Sequence, residues 1–101
     1  MVRLRHFTSR SGLDRIRSEG IIRAGDSGRV FAVRARGMPG NPRNLERAIG
    51  IARGRGNAYV EFDALALELD VVLNPLTGAR EFQYRGDVDL AERHSAFFLN
   101  R

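Results

Sequence analysis

The chain has 101 residues, 43% of them apolar, and a formal net charge of +5, which suits one small domain spanning residues 1–101. It has no cysteine, so disulfides and thiolate metal sites are excluded, and its two histidines lack zinc-site spacing, so no metal is expected. All 17 basic residues are arginine, whose guanidinium binds phosphate and carboxylate bidentately and stacks on bases, so an anionic partner is expected.

In chain order, residues 2–7 read as a strand. Ser11-x-x-Asp14 resembles a capping box and opens a helix that ends at Gly20, with Leu13 and Ile16 on its buried side. Residues 29–34 read as a second strand. Asn41 caps a helix with Pro42 in its first turn, running through Ile49 with Leu45, Ala48 and Ile49 inward. The stretch Arg53-Gly54-Arg55-Gly56 reads as a flexible basic turn.

The second half alternates apolar and polar residues with period two. Ala58, Val60 and Phe62 mark one strand, and Leu67, Leu69, Val71 and Leu73 another. Asn74-Pro75-Leu76-Thr77-Gly78 is turn chemistry leading to a strand at 80–85. Residues 89–101 fit either a helical turn or an arm whose Phe97, Phe98 and Leu99 pack back on the body. The expected fold is a small α+β domain: strand, helix, strand, helix, then a curved antiparallel sheet of three further strands. No segment approaches the roughly 18 apolar residues of a membrane span, and none reads as a signal peptide.

Residues two apart on a strand face the same way, so His6 and Thr8 project together beside a helix start, where a polar ligand could be held. Glu81, Gln83 and Arg85 share one face of their strand, opposite Phe82 and Tyr84. Arg53 and Arg55, flanked by glycine, offer phosphates both backbone and guanidinium, although a dinucleotide fingerprint would continue into a helix. His94 lies in a charged tail and reads as a solvated surface residue.

The segment His6-Phe7-Thr8, followed by Gly12-Leu13-x-x-Ile16-x-x-x-Gly20-Ile21, resembles the opening of compact ADP-ribosyltransferase-like domains. The resemblance extends in element order over residues 3–85, with 29–32 placed like the second core strand and 57–63 like the central strand. The stretch Asn74-Pro75-x-Thr77-Gly78-Ala79-x-Glu81-Phe82, then Gly86-Asp87-Val88 and a basic end at Arg101, resembles C-terminal modules of polymorphic or contact-dependent bacterial toxins. The resemblance implies NAD as substrate. His6 and Thr8 would orient its ribose, Phe31 would stack near the nicotinamide, and Arg5 or Arg29 would hold the pyrophosphate. Glu81 would stabilise the transition-state cation, with Glu61 and Glu68 as rivals. It further implies delivery within a larger secreted protein into the cytoplasm of a target bacterium, and an acidic immunity protein as partner.

Two other readings stand beside it. In a metal-independent ribonuclease toxin, His6 would be general acid or base, Thr8 and arginines such as Arg85 would bind the scissile phosphate, and Tyr84 would assist, with RNA as substrate and no cofactor. The third is a non-enzymatic basic module that binds nucleic acid or protein.

Overall fold

Strand β1 (Val2–Thr8) lies inside a six-stranded sheet, not at its edge. The computed structural model describes residues 1–75, 78 and 80–100. After β1 come α1 (Arg10–Glu19), β2 (Ile21–Ile22), β3 (Arg29–Arg34), α2 (Pro42–Ile49) and β4 (Ala58–Ala64). A short 3-10 turn (Ala66–Glu68) precedes β5 (Leu69–Leu73), β6 (Arg80–Arg85), β7 (Val88–Asp89) and β8 (Ala96–Leu99). The large sheet runs β5-β6-β3-β1-β4-β8, and β2 pairs with β7 in a separate two-stranded ribbon. The described pairings are antiparallel, so the fold is α+β as expected.

The core forms where α1 lies on one face of this sheet. Leu13 and Ile16 of α1 meet Leu4, Val30, Val60 and Phe62, and Ile22 and Val88 of the ribbon close the side. Phe62, Leu4 and Val60 are fully buried, and each such burial contributes roughly 1.5–3 kcal/mol. The helix starts two residues earlier than its sequence suggests. Ser9 is the cap, its Oγ accepting from the Gly12 amide at 3.1 Å, while Ser11 and Asp14 sit exposed within the helix. Gly20 ends it in the left-handed region at φ 71°.

Three expectations are corrected. Helix α2 is capped by Asn41 as foreseen, but its one buried residue is Glu46, and Ala48 is exposed. The alternation at 67–73 does not mark a buried face: Leu67 lies in the 3-10 turn, and on the edge strand β5 both Val71 and Leu73 are more than half exposed. The tail resolves into a strand, because Ala96–Leu99 pairs with β4 from Glu61↔Ala96 to Ala58↔Leu99. Phe97 packs on the core, Phe98 stacks on Tyr59 at 4.9 Å, and Leu99 faces outward. The turn expected at 74–78 is closed by a Gly78 amide to Asn74 carbonyl bond of 2.8 Å; Leu76, Thr77, Ala79 and the basic end at Arg101 lie outside the described residues.

Candidate active site

Strand β1 holds its two neighbours unequally. It pairs with β4 at seven positions, from Val2↔Ala64 to Thr8↔Ala58, but with β3 only at Leu4↔Arg34 and Arg5↔Val33. Beyond Arg5 the two strands part, and the next residue, His6, crosses the seam with its side chain. Its ring bonds the Phe31 carbonyl through Nδ1 at 2.8 Å. A carbonyl only accepts, so Nδ1 carries the proton and the neutral ring keeps Nε2 as an acceptor. Burial lowers the His6 pKa, the Phe31 carbonyl opposes this, and the nearby Arg55 charge lowers it further. The imidazole is therefore neutral at neutral pH and poised to accept a hydroxyl hydrogen.

Two compartments meet at this ring, and His6 and Arg55 line both. The first, a cleft, has apolar walls from Phe7, Phe31, Ile49 and Ile51, with Glu81 also in its lining. The second lies against the start of α1 and is polar, lined by Thr8, Ser9, Ser11, Arg15 and Arg23. Ser11 and Arg15 reach it because residues four apart share a helix face. Thr8 is 4% exposed, and its hydroxyl makes no hydrogen bond among the described residues. Gly12 makes room for it: a Cβ there would lie 2.2 Å from Thr8 Oγ1. The cap itself is Ser9, so the Thr8 hydroxyl is not used in capping.

The three candidate carboxylates separate cleanly by their partners. Glu61 is held by Arg5 at 2.7 Å and Arg3 at 3.6 Å. Glu68 accepts from Arg93 through both oxygens at 3.1 Å and from the Tyr84 hydroxyl at 3.1 Å. Glu81 has no cationic partner among the described residues, and only Gln83 approaches it, at 3.5 Å. It is the one acid that faces the cleft unneutralised.

Of the other residues singled out in the sequence, Phe31 and Arg55 lie in the cleft. Arg5 lines it too, but its guanidinium is spent on Glu61 and on the carbonyls of Arg36 and Gly37, at 3.2 and 2.6 Å, so it is not free to hold phosphate. Arg29 is paired with Asp70 at 2.5 Å, away from both compartments. Arg85, opposite Arg29 in the β3–β6 register, reaches Asp70 at 3.7 Å and the Leu67 carbonyl at 3.3 Å, so one carboxylate offsets two like charges. Tyr84 faces the other side of the sheet, in the Glu68–Arg93 cluster, and does not reach the cleft. Arg53 borders a separate hollow with Arg43 and Arg47. His94 is an exposed side chain, as expected, though its Nδ1 is 3.0 Å from Asp63.

The sequence reading missed Ser9, Ser11, Arg15, Ile49 and Ile51 as lining residues. Gly50 was the available signal for the last two. It ends α2 at φ 73°, and the stop turns Ile49 and Ile51 back toward β1.

An imidazole on the first strand, a helix behind it, a second core strand at its side and a carboxylate on a late strand across the cleft are the parts of an ADP-ribosyltransferase-like toxin domain. The chain belongs to the family described as "HYD1 signature containing ADP-ribosyltransferase", whose model matches residues 4–92. The family implies NAD as the substrate. No curated protein and no solved structure matches the chain.

Proposed function

We propose that this toxin domain binds NAD across the two compartments and transfers ADP-ribose to a macromolecule inside a target cell. The observation that carries the reading is that His6, fixed as a neutral acceptor in the seam, and the unneutralised Glu81 line the same apolar cleft. The residues present fit the dinucleotide. The apolar compartment suits a flat nicotinamide ring beside Phe31, and Nε2 of His6 suits a ribose hydroxyl. Arg55, free of ion pairs among the described residues, stands at the junction where the pyrophosphate must pass, and replaces Arg5 and Arg29 in that role.

In the reaction the bond between the ribose anomeric carbon and the nicotinamide nitrogen breaks, and its electron pair leaves with the now neutral ring. Positive charge builds on the ribose, where the Glu81 carboxylate stabilises it. A nucleophile of the acceptor then bonds to the anomeric carbon and releases its proton. On this reading the domain is cargo of a larger secreted protein, acts in the cytoplasm of a target bacterium and is neutralised by an acidic immunity protein, for which the +5 charge is the support.

The test is Glu81→Gln. NAD consumption should fall by about a hundredfold or more while affinity for NAD stays within a few-fold of wild type. Should the wild-type domain leave NAD untouched and fragment RNA in its absence, with Glu81→Gln equally potent, the transferase reading gives way to the ribonuclease.

A further inference from the structure

A buried carboxylate on an otherwise half-solvated helix needs a reason. Glu46 is 5% exposed, the one buried residue of α2, and it contributes nothing apolar to the core. Burying a carboxylate is unfavourable unless donors surround it. Here Oε2 accepts from the amides of Gly54 and Gly56, both at 2.9 Å, and Oε1 accepts from Arg43 at 2.6 Å. The residue between the two bound amides is Arg55.

The remaining contacts of this turn fix the same residue. The Arg55 amide closes the turn on the Ala52 carbonyl at 3.1 Å, and Asn100 Nδ2 donates to the Gly56 carbonyl at 3.0 Å. Gly54 stands at φ 91°, where side chains are strained, and a Cβ on Gly56 would lie 2.9 Å from Glu46 Cγ and from the Pro42 carbonyl. Gly54 is thus required by its backbone conformation and Gly56 by the closeness of the carboxylate. The backbone of Arg55 is clamped on either side, while its guanidinium hangs free over the junction of the two compartments.

We infer that Glu46 is a positioning residue for substrate binding: through the Gly54 and Gly56 amides it holds Arg55 where the dinucleotide's pyrophosphate crosses from the apolar to the polar compartment. The inference rests on the NAD reading above. A basic turn that looks flexible in the sequence has its backbone already ordered by the fold, so only the Arg55 side chain loses freedom on binding.

The experiment measures NAD consumption by the intact domain and its Glu46→Gln, Arg55→Ala and Arg55→Lys variants, with circular dichroism as the check on folding. Glu46→Gln should raise KM for NAD about tenfold, the scale of one charge-assisted contact, with kcat within about twofold. Arg55→Ala should match it, Arg55→Lys should recover part of the loss, and Glu46→Gln with Arg55→Ala together should cost no more than either alone. Inhibition by nicotinamide, which carries no phosphate, should be the same in every variant. Where Glu46→Gln does not fold, Glu46→Asp keeps the charge but falls short of the two amides, and the same KM rise is expected. A folded Glu46 variant with unchanged KM overturns the inference, as does one that loses nicotinamide and NAD affinity in equal measure. A wild-type domain that neither binds nor consumes NAD overturns the NAD reading itself, and that result is visible before any variant is made.

Discussion

His6 and Thr8 were legible because strand periodicity needs no partner: two residues apart, on a short hydrophobic run, they had to share a face. The same parity separated Glu81 from Tyr84, so only one of them could line a given side of β6, and the cleft holds Glu81. What parity could not reveal was which guanidinium stays free, since Arg5 and Arg29 are neutralised by Glu61 and Asp70, on strands far away in sequence. The His6 environment has a pH signature. Its folded pKa lies below 6.5, so the ring remains an acceptor as pH falls through 6.5 and turns into a donor only in more acidic solution. For NAD consumption we expect kcat/KM to be flat from about pH 8 to below pH 6.5 and to drop only further down. An inflection at or above 6.5 would mean that the ring is not desolvated as described.

At the scale of elements, β1, β3, β4, β5 and β6 were legible from their alternation, but not whether each has a buried face. Ala58, Val60 and Phe62 announced β4 because each is fully buried. The run from Leu67 to Leu73 carries a similar pattern, yet its placement is decided by Glu68, whose bonds to Arg93, Tyr84 and the Leu65 amide wind residues 66–68 into a turn and leave β5 at the edge. Helix α2 misled for a related reason: its one buried residue is the polar Glu46, while Ala48 is exposed. The Glu68 cluster should govern acid stability. Its bonds with Arg93 first, then with the Leu65 amide, outweigh burial and hold the carboxyl at about 2, against an ordinary 4.5. Folded and unfolded pKa values in that order mean full stabilisation above 4.5, lost as pH falls toward 2. Allowing for partial solvent screening, the loss is about 2 kcal/mol. Chemical denaturation of Glu68→Gln should show that deficit at neutral pH and close the gap with wild type in acid; a constant gap at every pH would refute this assignment.

For the whole molecule, the α+β class was legible from element order, whereas the central place of β1 was not, because pairing between distant strands leaves no local trace. The arginine-rich surface has a consequence that can be measured on its own. With a charge of +5, association with the proposed acidic immunity protein should be fast at low salt and slow at least about tenfold as salt approaches about 0.5 M. An on-rate indifferent to salt would remove the basic surface from partner capture. The unequal pairing of β1 bears on something else, the order in which the domain becomes dangerous. His6 is held in its seam by a seven-pair ladder to β4, in the second half of the chain, and by only two pairs to the nearer β3. A chain whose second half has not yet folded therefore has no assembled candidate site. The imidazole has no fixed address until residues 58–64 have paired with its strand, so a chain that has not yet folded carries no assembled site, and activity begins with folding.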